Sequence, residues 1–139
     1  MLKPPIRMRI TNMETGVVLA RRVWVARAFW DRLRGLYGRP RLAEGDALVL
    51  LSSRTAHTIG LDYAIVVVYL DAEGRVIAAP LLASGKVGPY RRVAYMVVLL
   101  PASRAAMVNP GDLLEIGIDG PTPTPPYGGR RRRPRRYPG

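Results

Sequence analysis

RTAHTIGLDYAIVVVYLDAEGRV, residues 54–76, decides the fold of this chain. Its centre, Ala64–Leu70 (AIVVVYL), is dominated by β-branched and aromatic side chains, which suit a pleated strand. The run does not alternate with polar residues. It therefore reads as a strand buried on both faces, or covered on one face by a helix. Asp71-Ala72-Glu73-Gly74 reads as a tight turn: Gly74 accepts positive φ, and Asp71 can bond its own backbone. Val76–Leu82 then returns as the partner strand. The only histidine, His57, stands just upstream of the strand.

Upstream, Ile6–Thr11 and Val17–Val23 read as strands joined by a hairpin turn in NMETG. From Ala26 to Tyr37 the period changes. Phe29, Leu33 and Leu36 recur at helical spacing, which predicts an amphipathic helix ended by Gly38 and Pro40. Ala47–Leu51 reads as a short strand, and Thr55–Ile59 as a further candidate. Downstream, Ala83–Arg92 reads as a loop and Tyr95–Leu100 as a strand. Pro101–Val108 reads as one or two helical turns, and Leu113–Ile118 as the closing strand. There is no strand–helix–strand alternation of the kind that builds a nucleotide-binding parallel sheet. The fold expected is mainly β: a compact antiparallel barrel or sandwich of about 7–8 short strands with one covering α-helix.

Two domain-level segments are expected. Residues 1–119 form a single β-rich domain, and 120–139 a disordered Pro/Gly linker with an Arg-rich tail. Residues 120–129 (GPTPTPPYGG) hold proline or glycine at seven of ten positions, a composition that suits an extended linker and not a core. The net charge is +12. Residues 1–120 carry 16 basic and 10 acidic side chains, whereas residues 121–139 carry six arginines and no acid. Half of the excess charge thus sits in the tail, on Arg130, Arg131, Arg132, Arg133, Arg135 and Arg136. Such a run attracts nucleic acid, acidic lipid or an acidic protein without reading sequence, or simply solubilises the chain.

Cysteine is absent, which removes disulfides, thiolate nucleophiles and cysteine–metal sites. The longest apolar runs fall well short of the roughly 20 residues a spanning helix needs, and MLKPPIRMRI does not read as a secretory signal. The expectation is a cytoplasmic protein with no transmembrane segment and an open oligomeric state.

Chemistry has few carriers. His57, with Arg54 and Asp62 nearby in sequence, is a candidate for anion binding or proton transfer. The plainer alternative is a partly buried histidine bonded to backbone or carboxylate. Catalysis would need a nucleophile or a second acid in reach. One histidine and no cysteine leave a metal site to carboxylates such as Asp46, Asp62, Asp71, Glu73 and Asp112, with no calcium-loop pattern among them. No catalytic residue, metal or cofactor is therefore assigned. Arg32, Arg34, Arg39 and Arg41 surround one end of the expected helix, and Lys86, Arg91 and Arg92 form a second basic group. If the two converge they make an anion-binding rim; otherwise they are a solvated surface. Trp24, Trp30 and Tyr37 read as packing groups.

Four motifs in order give a family resemblance over roughly residues 11–118. Arg32-Leu33-Arg34-Gly35-Leu36 followed by Arg39 resembles the R-x-x-G-L-M-x-R signature of the domain of unknown function 192 family. His57–Leu61, Ala64–Asp71 and Gly74–Val76 resemble its second signature. Val98–Ser103 resembles its third, and Gly111-Asp112 its closing turn. The resemblance implies a compact, mostly β domain of bacteria and archaea without an established activity, in which polar groups often line one cleft. Arg34, Gly35, His57 and Asp71 match. Leu61 replaces a methionine, Val66 an inner aspartate, Leu99 a strand glutamate and Ser103 a glycine. An acid–base or metal role that depends on those carboxylates would be lost, while a binding or structural role would survive.

The expectation is thus a binding or accessory domain whose basic tail meets polyanions or an acidic partner. The alternatives are a nucleic-acid-associated, RNA-binding protein and a small hydrolase-like or metal-dependent enzyme, with the balance against an enzyme. The candidate ligand-binding residues are Arg34, Arg39, Arg54, His57, Asp62, Asp71, Arg91 and Arg92.

Overall fold

A computed structural model describes residues 8–26, 42–58 and 61–118. Among these residues eight strands are present: β1 (Met8–Asn12), β2 (Val18–Ala26), β3 (Gly45–Leu51), β4 (Ile65–Leu70), β5 (Val76–Ala78), β6 (Leu81–Leu82), β7 (Met96–Pro101) and β8 (Leu114–Ile118). A 3-10 helix, Ala102–Met107, follows β7 and is the one helix among the described residues. The strands form one sheet in the order β5-β4-β7-β3-β2-β1-β8, with β6 also paired to β4. The sheet curls into a half-barrel. Its two ends meet where Arg75 bridges Leu113, where the Val76 N–H donates to the Asp112 carbonyl (2.8 Å) and where the Leu114 N–H donates to the Gly74 carbonyl (2.9 Å).

The mainly β expectation holds, with one change of direction. β2 and β3 run parallel, while the other strand pairs are antiparallel. A parallel pair needs a long crossover, and residues 27–44 supply the length. Of the helix expected over 26–37, Ala26 is the last residue of β2, and residues 27–37, with Trp30 and Tyr37, lie outside the described residues.

Every residue of β4 is buried, as the unbroken apolar run requires. Its alternate side chains enter two cores. Val66, Val68 and Leu70 join Val98, Leu100, Ala47, Val49 and Ile10 inside the curl. Ile65, Val67 and Tyr69 join Leu48, Leu50, Val97 and Leu99 on the outer face, beneath the loops that carry Ala56, Leu61 and Ala94. Burial on both faces is the general reason a strand reads as continuously hydrophobic.

The β4–β5 turn forms as its sequence predicts. One Asp71 carboxylate oxygen accepts the N–H groups of Glu73 and Arg75, each at 2.9 Å. Gly74 has φ +87°, and a Cβ there would lie 2.8 Å from the Leu114 carbonyl oxygen. Positive φ and the sheet closure both require glycine here. Behind the turn, buried Arg75 donates to Glu14 (3.2 Å) and to the Gly111 carbonyl (3.1 Å). Buried Asn12 donates to the Met107 carbonyl and to Asp112, both at 2.9 Å. These polar groups tie the closing end of the half-barrel together.

Several sequence boundaries shift: β2 runs on to Ala26, past the expected end at Val23, and β7 spans Met96–Pro101 where Tyr95–Leu100 is expected. The return strand Val76–Leu82 is broken into β5 and β6 around Pro80, whose carbonyl still accepts the Val67 N–H at 2.9 Å. The candidate strand Thr55–Ile59 reduces to a single bridge between His57 and Val87.

Candidate functional site

The loops that cover the outer core form a layer of their own. Residues 54–58 and 86–91 run antiparallel in an irregular ladder. The Thr58 N–H donates to the Lys86 carbonyl (2.7 Å), the Gly88 N–H to the Ala56 carbonyl (2.8 Å) and the Arg91 N–H to the Arg54 carbonyl (2.9 Å). Thr58 fastens one end, because its buried hydroxyl donates to the Ala83 carbonyl and accepts the Lys86 N–H at 2.9 Å. Tyr69 fastens the middle from below by donating to the Pro89 carbonyl at 2.5 Å. Burial pushes the Tyr69 phenol up from its ordinary pKa, while its hydrogen bond with Thr55 and the charge of Arg91 act the other way.

Close contact makes this layer possible. A Cβ on Gly88 would sit 2.8 Å from the Tyr69 hydroxyl and 3.0 Å from the Ala56 carbonyl oxygen. Glycine at position 88 lets the loop backbone lie directly on the sheet.

The outer side of the layer is basic. Arg54, Lys86, Arg91 and Arg92 are all exposed, and residues 52–58 and 81–95 contain no carboxylate. Lys86 and Arg91 are five residues apart, at most about 16 Å of fully extended chain. Arg54 donates to the Tyr90 hydroxyl at 3.1 Å. The Ala94 N–H donates to the Arg91 carbonyl (3.0 Å), closing a turn with Arg92 and Val93 at its tip. Tyr90 and Tyr95 flank that turn.

Of the predicted site residues, Arg54, Arg91 and Arg92 come together on this layer, joined by Lys86 from the same expected basic group. His57 lies within the layer, half-buried, and burial lowers its pKa from the ordinary histidine value. The two candidate carboxylates do not meet. Asp62 precedes β4 and Asp71 follows it, so about 20 Å of strand separates them. Asp71 is occupied in its turn. Arg34, Arg39 and the six tail arginines lie outside the described residues.

Val66 and Leu99 also part company. Val66 packs inside the curl and Leu99 in the outer core, because Leu99 pairs with Val67 and shares its face. Carboxylates at these two positions would not face a common cleft in this chain.

The tyrosines were not singled out from sequence. Their signal is the PYRRVAY segment at 89–95, in which aromatic residues bracket an arginine pair without any acid. A separate recess of about 310 Å³ lies against β1, β2 and β8 and is lined in part by Arg9, Thr11, Met13 and Glu115. It contains none of the predicted site residues. Among the described residues, no three His, Cys, Asp or Glu side chains are grouped to hold a metal ion. No helix among them is long and apolar enough to cross a membrane.

No family model and no curated protein sequence matches the chain. Two solved structures share the fold. A protein of unknown function from Novosphingobium aromaticivorans DSM 12444 aligns with a TM-score of 0.59 and 18% identity, over 82% of this chain and 84% of that one. A "putative transcription regulator" from Sinorhizobium meliloti 1021 aligns with a TM-score of 0.54 and 18% identity, over 82% of this chain and 94% of that one. At that identity the likeness speaks for the fold alone.

Proposed function

We propose that this chain is a binding or accessory domain for polyanions, which it engages through the basic loop layer and the arginine tail together. The observation that carries the reading is the exposed set Arg54, Lys86, Arg91 and Arg92 on two hydrogen-bonded loops that lack any carboxylate. Such a surface raises the local concentration of anions through its summed field. The tail adds six guanidiniums of the same sign. Asp62 and Asp71, at opposite ends of β4, give a hydrolytic reading no carboxylate pair to work with. The same proposal takes the chain as a divergent relative of the domain of unknown function 192 family, supported by the order of the four motifs on a mostly β fold.

The test uses the full chain and two charge variants. One replaces Arg54, Arg91 and Arg92 with alanine; the other replaces the six tail arginines with glutamine. Binding to a labelled DNA duplex, an unstructured single strand and acidic vesicles is measured at fixed salt. Both variants should bind polyanions more weakly, with the tail variant losing most of the nonspecific affinity. Unchanged binding by both variants overturns the reading.

A further inference from the structure

We propose that the occupant of the loop layer is a single-stranded nucleic acid, whose bases stack on Tyr90 and Tyr95 while its phosphates meet the surrounding cations. The inference rests on the polyanion reading and adds the chemical class of the ligand.

Three observations carry it. First, the large hydrophobic side chains left exposed among the described residues are Leu81 (54%), Val87 (65%), Tyr90 (62%), Val93 (67%) and Tyr95 (55%). All lie in one stretch of chain, 81–95; Tyr90, Val93 and Tyr95 form or flank the 91–94 turn and Val87 lies on the loop ladder, whereas Leu81 is set apart in β6 beside Val66. The aromatic and apolar side chains exposed at and around the 91–94 turn mark a surface suited to being covered by something else.

Second, the two tyrosines are placed as platforms. Tyr95 immediately precedes β7, its N–H donating to the Leu70 carbonyl (2.7 Å), and its side chain stays exposed beside the 91–94 turn. Tyr90 is held at its hydroxyl edge by Arg54, while most of the residue remains exposed. An edge fixed by a guanidinium keeps the ring in place and costs the ligand less ordering.

Third, the cations are distributed and not clustered on a point. Lys86 lies at one end of the ladder, and Arg54, Arg91 and Arg92 lie near the tyrosines at the other. A strand with one phosphate per nucleotide matches charges spread along the ladder and not gathered at one point. A duplex keeps its bases stacked on one another and would leave the tyrosine faces unused. Arginine planes beside the rings add further surfaces on which an unstacked base can lie.

The experiment compares the full chain with Y90A, Y95A, Y90F, Y95F and the R54A/R91A/R92A variant. The probes are oligo-dT, an abasic strand of equal length, a duplex of equal phosphate number and phosphatidylserine vesicles. Circular dichroism confirms that each variant is folded. Oligo-dT should bind more tightly than either the abasic strand or the duplex. Each tyrosine-to-alanine change should weaken oligo-dT binding by about 5- to 100-fold, the range expected for one lost base stack, and leave duplex and abasic binding unchanged. Y95F should retain oligo-dT affinity, because the ring and not the hydroxyl meets the base; Y90F keeps the ring but loses its bond from Arg54, and should fall between the unaltered chain and Y90A. Loss of binding on arginine substitution, with none on tyrosine substitution, overturns the single-strand inference and leaves the polyanion reading standing. Binding to vesicles but to no oligonucleotide also overturns it. Indifference to every substitution overturns both.

Discussion

At the scale of single residues, Gly88 and His57 make the sharpest demands. Gly88 allows the loop layer to touch the sheet. Gly88→Ala would push a methyl group against the Tyr69 hydroxyl and the Ala56 carbonyl. Neither is the free end of a flexible side chain, so the expected loss is about 1–3 kcal/mol by chemical denaturation. Tyr69→Phe removes one of the two obstructing atoms. The double variant should therefore be more stable than the sum of the two single losses implies, a coupling that a double-mutant cycle measures. Additive losses would mean that the clash is relieved elsewhere. His57 makes a separate prediction. Burial depresses its pKa in the folded state, so the unfolded chain takes up a proton first as pH falls. Stability contributed by the neutral ring is present above about pH 6.5 and is lost as pH falls from there through the lower folded pKa. Urea titrations at pH 7.5 and pH 5 should show lower stability at pH 5, and His57→Gln should reduce that difference. His57 is the only histidine of the chain, so no second imidazole confuses the comparison.

At the scale of elements, Thr58 joins the two halves of the loop layer. Its hydroxyl satisfies the Ala83 carbonyl and the Lys86 N–H at a fully buried position. Thr58→Val keeps the shape but strands both partners, at an expected cost of about 1–3 kcal/mol. Hydrogen exchange should speed up at the Lys86 and Gly88 amides while the amides of β4 and β7 keep their protection. Uniform loss across the sheet would contradict a layer that opens independently of it. The sheet and its cover were unequally legible in sequence. β4 announces itself because both its faces are buried, and its turn because Asp71 and Gly74 each have a local task. The parallel pairing of β2 with β3 is not written in either strand. It depends on the path of the connection between them, and both strands would look the same in an antiparallel pair. Of the loop layer, Ala83–Arg92 reads as loop and Thr55–Ile59 as a candidate strand, and the ladder between them is held by backbone groups that every residue carries. For that reason the meeting of Arg54 with Arg91, thirty-seven positions later in the chain, had no local signature. Tyr95 was hidden by its own pattern, since in sequence it reads as the aromatic start of a packed strand, whereas β7 begins only at Met96.

At the scale of the whole molecule, charge is divided between a folded face and a tail, and salt dependence can separate their shares. Each phosphate contact on a single strand contributes about 0.7 to the slope of log K against log salt. If all six tail arginines meet phosphates, their replacement by glutamine should lower the slope by about 4. Replacement of Arg54, Arg91 and Arg92 should lower it by about 2. Tyr90→Ala and Tyr95→Ala should reduce affinity at every salt concentration without changing the slope, because stacking releases no counterions. The combination is discriminating. A tail that merely keeps the chain soluble would leave the slope intact when neutralised. A loop face that only decorates the surface would do the same when its arginines are removed. If both slopes fall and their decrements add, the face and the tail hold different phosphates of one strand. The folded domain then fixes where the strand lies, and the tail, with a net +6 and no side-chain carboxylate of its own, raises the rate at which it arrives.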